Sequence, residues 1–258
     1  MRRRPILTAL AVAASCSVLP ASSRAQVNAE ALRSKLRENP NFLWLEGAIV
    51  SRAGNSYGGS LSAGAFGGVT RPPHLFFGKA NAEYGTANSA LTVARALLHL
   101  RYNYLTSPFL YLELLAQVQH DDFRRIAVRD LYGTGLRFNW IRDKDFELFS
   151  GTTILLEQQA ISASASYPSS SNVWARSSNY AGVNIAFRGL GDITTVTYLQ
   201  PRLDRPIDFR LLHETVVTLA ITKRLAARIS ANLTYDREPV PGVLPADLEV
   251  KNSLVVKF

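Results

Sequence analysis

Three histidines, a pair of neighbouring aspartates and a glycine-rich stretch are the residues whose types could do chemistry in this chain. His99, His120 and His213, with serines and asparagines nearby, would serve a lipolytic or other hydrolase only if a nucleophile, a base and an orienting group came within hydrogen-bond reach. They fall in three separate stretches, and no local pattern marks a nucleophile. The sequence therefore reads as a non-enzyme. Tyr57-Gly58-Gly59 to Gly67-Gly68 would cradle a phosphate only where a strand feeds a helix, and an extended pattern follows instead. Asp121-Asp122 could touch divalent ions at lipid headgroups. No Cys or His spacing suggests a metal site, and nothing calls for a cofactor.

What remains is charge arranged by position. Arg95, Arg101, Glu113, Arg129, Arg137, Arg176 and Arg188 head a set of charged residues that share one parity of alternating segments. Lys79, Glu83, Arg125, Glu147, Glu157, Glu214, Arg228, Glu249 and Lys251 continue it. Two readings stay open. One is a selectivity surface in which arginines favour small anionic solutes. The other is a mesh of ion pairs filling a narrow interior. For the second, Glu113 and Arg129 are expected to meet across a hairpin.

The elements that hold these residues alternate apolar and polar side chains with a period of two. Twelve such segments are read at 43–52, 57–68, 73–85, 89–104, 108–119, 125–140, 144–158, 173–188, 191–201, 208–222, 225–237 and 247–258. Leu110, Leu112, Leu114, Ala116 and Val118 oppose Tyr111, Glu113, Gln117 and Gln119. Ile126, Val128, Tyr132, Leu136, Phe138 and Trp140 oppose Arg125, Arg129, Arg137 and Asn139. The segments exceed the ~5–6 residues usual in globular strands and suit a tilted membrane strand of ~9–11. Aromatics gather near segment ends, with Trp44, Tyr102, Tyr104, Phe109, Trp140 and Phe146 at one rim and Tyr84, Phe123 and Trp174 at the other, as a double girdle requires. An even strand count puts both termini on one side. The tight turns at 106–108, 142–144, 189–191 and 223–224 then share that side, and the longer connections at 159–172 and 238–246 fall opposite, which assigns the termini to the periplasm. Asp130 and His213 sit on the lipid parity and fit poorly, unless strands project above the membrane or a β-bulge intervenes near Asp130. The first segment, with Glu46 and Gly47 among apolar neighbours, has no clean faces.

The chain has 258 residues, 47% hydrophobic, and a formal charge of +9. No stretch reaches the ~20 apolar residues of a spanning helix. Arg2, Arg3 and Arg4, the apolar run Ile6 to Val18, and small residues before a cut between Ala25 and Gln26 form a secretory signal peptide, residues 1–25. Its removal takes away Cys16, the only cysteine, and lowers the charge from +9 to +5 with Arg2, Arg3, Arg4 and Arg24. The basic pI is thus partly a property of the leader and offers a nucleic-acid partner little support. Residues 26–40 form a short helical periplasmic segment: Asn28 caps it, Ala31, Leu32 and Leu36 make a thin apolar stripe, and Pro40 ends it. It either plugs the mouth of a barrel at 41–258 or is a loose stub.

The C-terminal run Tyr235-Asp236-Arg237-Glu238-Pro239-Val240-Pro241-Gly242-Val243, then Asp247, then Phe258, resembles the ending of the YdiY-like, salt-induced outer-membrane protein family. Glu238 and Val240 depart from its Pro-rich turn. Arg101-Tyr102, Gln117 to Phe123, Arg129, Gly133, Gly135 and Arg137, and the early Gly54-Asn55, resemble further motifs of that family. The resemblance implies a Gram-negative outer-membrane β-barrel of unassigned role, with no catalytic residues to carry over.

The expectation is an all-β, transmembrane antiparallel barrel of about twelve strands. Its partners are outer-membrane lipid and, in transit, periplasmic chaperones and the barrel-assembly machinery, for which Leu254, Val256 and Phe258 form the terminal signal. Its role is envelope structure, with a narrow, anion-leaning pore passing small solutes as the alternative.

Overall fold

A computed structural model describes Glu30, Arg33, Lys35, Leu36 and residues 39–52, 58–87 and 90–258. The signal-peptide cut at Ala25 and Gln26, Phe123's side chain and the Gly54-Asn55 turn lie outside the described residues or side chains. Twelve strands follow in chain order: β1 (Asn41–Arg52), β2 (Gly58–Arg71), β3 (His74–Ala87), β4 (Ala90–Leu105), β5 (Leu110–Asp121), β6 (Ile126–Arg142), β7 (Phe146–Ile161), β8 (Ser170–Phe187), β9 (Gly191–Pro201), β10 (Phe209–Ala220), β11 (Leu225–Asp236) and β12 (Ala246–Lys257). Each pairs antiparallel with its chain neighbours, and β1 pairs with β12 to close the barrel. Closure leaves no open edge, the condition a sheet must meet in lipid. Connections are short at the end carrying the termini and longer at the other, where 162–169, 202–208 and 237–245 lie.

Alternation sets the two faces. Along β5, Leu112 and Leu114 are exposed on the outer wall while Tyr111, Glu113, Leu115 and Gln117 are buried inside. Exposed Leu100, Leu114, Ile154 and Leu156 belong to an outer apolar belt.

The interior departs from the sequence reading in four places. Trp44 is buried inside the barrel, not set in a rim girdle. It joins Phe42, Phe66, Leu75, Phe77, Ala226, Val255 and Leu36 in an apolar cluster. This gives β1 its faces: Phe42, Trp44 and Glu46 inward, Leu43, Leu45 and Ile49 outward. Trp174 also lies on the inward parity, 6.0 Å from the Arg176 guanidinium and 5.3 Å from that of Arg202. A register shift between Ile126 and Val128 turns Ile126 inward, against its assignment to the lipid face, and leaves Asp130 outward beside Gln158. Arg188 is an exposed turn residue after β8 and lines no lumen. It hydrogen-bonds Asp145 of a neighbouring turn, and those bonds hold the Asp145 carboxyl below the ordinary aspartate range.

Candidate functional site

The interior is the candidate site, and most of its charges are paired. At the far end from the termini, Glu157 on β7 receives Arg129 of β6 at 2.9 Å, Arg176 of β8 at 2.9 Å and Arg210 of β10 at 2.6 Å. Arg176 also meets Asp208 at 3.1 Å, and Arg210 meets Asp236 at 2.8 Å. Glu157 is fully buried. One carboxylate facing three guanidiniums, with two further carboxylates behind, spreads charge over five strands and a loop. Such a buried network costs desolvation that only full pairing offsets.

Along β1, β11 and β12, Glu46 pairs with Arg228 at 2.7 Å and Lys251 at 3.6 Å. Arg95 of β4 bridges Glu83 at 2.6 Å and Glu249 at 2.5 Å, crossing from β3 to β12 through the lumen. Where β5 passes into the 3-10 turn Asp122–Arg124, Arg124 meets Asp121 at 3.4 Å and Asp247 at 3.1 Å.

The third group is built around the N-terminal segment. Glu30 is helical, buried, and accepts from Arg101 Nη1 at 2.7 Å and from Arg137 Nη1. Arg137 and Arg33 both reach Glu147, at 3.2 and 3.5 Å. Lys35 pairs with Asp192. Glu113 accepts from Asn103 at 2.9 Å and from the Tyr180 hydroxyl at 2.6 Å. Leu36 packs against the inner face of β2 at Gly68, where a Cβ would come within 2.9 Å of it. Of the two readings of this segment, the described residues support the plug: all four are buried among lumen side chains.

Of the residues singled out from sequence, Arg101, Glu113, Arg129, Arg137 and Arg176 are buried inside, and Arg95 is inward and partly buried. Glu113 and Arg129 do not pair. Their register partners are Gly135 and Gln119, so they sit at different heights. Arg125, read as lumen-facing, adopts φ 60° at the end of the 3-10 turn. Its guanidinium binds the carbonyls of Ser162, Tyr167, Pro168 and Pro241 and so ties two long loops together. The histidines are not assembled. His99 is buried inside, bonded to Gln117 at 3.1 Å. His120 is a residue of β5 itself, not of a connection, and bonds the Ala127 carbonyl. His213 lies outward on β10. Sequence reasoning missed Arg210, Asp192, Asp208 and Asp236, and the charges Glu30, Arg33 and Lys35. Arg210 and Asp236 were visible as inward-parity residues, whereas the N-terminal charges were obscured by attention to the apolar stripe.

A closed barrel with an oily outer wall and a charged, buried interior is an outer-membrane β-barrel. The sequence matches the model of DUF481, a family of proteins of unknown function, over residues 47–258. The chain belongs to that family, of which the YdiY-like proteins are part. No curated protein matches it in sequence. Among solved structures it is similar to the NanC porin, with 12% identity over 83% of this chain and 98% of that one, TM-score 0.47. It is also similar to the translocator domain of the autotransporter NalP from Neisseria meningitidis, with 13% identity over 89% and 92%, TM-score 0.47. A third is the KdgM porin in complex with disordered oligogalacturonate, with 8% identity over 84% and 99%, TM-score 0.39.

Proposed function

We propose that this barrel is an envelope protein that stands closed in the outer membrane, with its N-terminal segment docked as a plug and both termini in the periplasm. The observation that carries this is the pairing of lumen charges: Glu157 is saturated by three arginines, and Glu30 by two. Charges committed to one another are poorly placed to relay solutes, because conduction needs sites weak enough to release what they bind. The shorter connections on the terminal side support the periplasmic assignment. Assembly from periplasmic chaperones through the barrel-assembly machinery uses the outward set Leu254, Val256 and Phe258 at the chain end. Deleting Phe258 is expected to leave little heat-modifiable barrel in the outer membrane; normal insertion of that truncation overturns this part.

Conductance in planar bilayers tests the closed state. Silent insertion of the purified barrel supports it. Stable, anion-selective steps from the intact chain overturn it in favour of a narrow channel for small anionic solutes.

A further inference from the structure

The outer wall is not uniformly apolar. On β7 to β10 seven polar side chains face outward in the middle of their strands: Thr152, Ser177, Asn179, Thr195, Thr197, His213 and Thr215. Thr197 Oγ1 lies 2.9 Å from His213 Nδ1, His213 Nε2 lies 3.2 Å from Thr215 Oγ1, and Thr215 Oγ1 lies 3.0 Å from Thr195 Oγ1. Thr152 donates to Asn179 Oδ1 at 2.8 Å, and Asn179 Nδ2 donates to Ser177 at 2.9 Å. Ala181, beside Thr197 in register and next along the outer face from Asn179, leaves a shallow point between the two groups. On the opposite wall, the matching stretches of β2 to β4 present Ala63, Ala65, Ala80, Ala82, Ala96 and Leu98, with no polar group among them.

The bonds within the patch do not exhaust it. Three hydroxyls and an imidazole bring at least one hydrogen each to the first group, which makes three bonds. The second group has the two hydroxyl hydrogens and the two amide hydrogens of Asn179, and makes two bonds. Lipid tails offer neither donor nor acceptor, so a polar group left unanswered in hydrocarbon is unfavourable. Between membrane helices such side chains hydrogen-bond across to a neighbouring segment, and a second protein surface would answer these groups in the same way.

We infer that the outer faces of β7 to β10 form a self-association surface, and that the partner is a second copy of this chain. The patch carries no carboxylate and no Lys or Arg, so a copy brings no like-charge repulsion. It holds donors and acceptors together, and the Asn179 amide is complementary to itself. A two-fold axis near Ala181 would set each copy's Asn179 and Thr197 against the other's, the same surface on both sides.

Cysteine cross-linking in vesicles tests it. In a chain whose only native cysteine is Cys16, Ala181→Cys is expected to give a disulfide-linked dimer under mild oxidation, at several-fold the yield of Ala80→Cys on the opposite wall. Asn179→Leu combined with Thr197→Val, added to Ala181→Cys, is expected to abolish most of that dimer while the barrel stays heat-modifiable. Equal cross-linking at both walls overturns the proposal, and so does its absence at Ala181, including where another protein covers the patch. The Ala181→Cys comparison decides the matter even if the double variant fails to fold.

Discussion

The two sides of the lumen are built on different physics. At the terminal end of β1 to β3 the inward face is aromatic and aliphatic, and Phe42, Trp44, Phe66, Leu75 and Phe77 close over Leu36 of the N-terminal segment. Along β6 to β10 the inward face centres on Arg129, Glu157, Arg176 and Arg210, joined by charge-assisted bonds. The first region excludes water by burying apolar surface; the second satisfies charge with charge, beside a smaller apolar cluster of Phe149, Tyr180, Val196, Tyr198 and Leu212. A barrel can therefore be filled from two chemistries, and the inward parity of a strand need not be polar. The N-terminal segment joins the two, with Leu36 on the first side and Glu30 and Arg33 on charges of β4, β6 and β7.

The sharpest way to break the contrast is at Glu157. Glu157→Leu removes the carboxylate shared by three buried guanidiniums, of which Arg176 and Arg210 keep Asp208 and Asp236, and losing one partner of a buried pair costs about 3–5 kcal/mol. Urea unfolding of the reconstituted barrel is expected to show a loss near the top of that range. A change within error would mean that the arginines are not held by this carboxylate. On the apolar side Leu75→Ala is expected to cost about 3 kcal/mol, inside the ~2–5 kcal/mol span of buried leucine truncations, and to loosen Leu36 at the same time. Protection of the N-terminal segment from added protease should fall in that variant and stay unchanged in a variant of the outer wall. Leu112→Arg places a cation on the outer face of β5 near the terminal end. Its cost is expected at about 2 kcal/mol, the low end of the ~2–4 kcal/mol for the midplane, because the bilayer interface is close. The smallest effect belongs to Asp145→Asn. Its partner Arg188 is an exposed turn residue, and water and salt screen such a surface ion pair. The stability it removes is present above the ordinary aspartate pKa and fades as pH falls through the lowered one, so wild type and variant should converge in acid.

The fold was legible in the sequence because period-two alternation is a local property. The strand count and the face of Leu112 against Glu113 needed nothing else. β1 was opaque for the same reason that the lumen has an apolar region: with Phe42 and Trp44 inward and Leu43 and Leu45 outward, both parities are oily, and the inward pair is held by a cluster drawn from elsewhere in the chain, with Leu36, Phe66, Leu75, Phe77, Ala226 and Val255. Arg188 was misplaced because parity was extended past the end of β8, where the chain turns at Gly189 with φ 76°. Ile126 was misplaced because one extra residue in a strand reverses the faces beyond it. Which charges meet was hidden, since Glu157 takes its partners from β6, β8 and β10, and register across a closed sheet is not written in any one segment.

Neighbouring residues on β7 test the central claim of an oily exterior around a filled interior. Ile154 is 50% exposed on the outer wall, and Thr153 is 2% exposed inside. With each replaced by cysteine in turn in lipid vesicles, Ile154→Cys should react with a membrane-soluble maleimide and resist a charged one, while Thr153→Cys should resist both. Rapid modification of Thr153→Cys by the charged reagent would show a water-filled lumen and contradict the account.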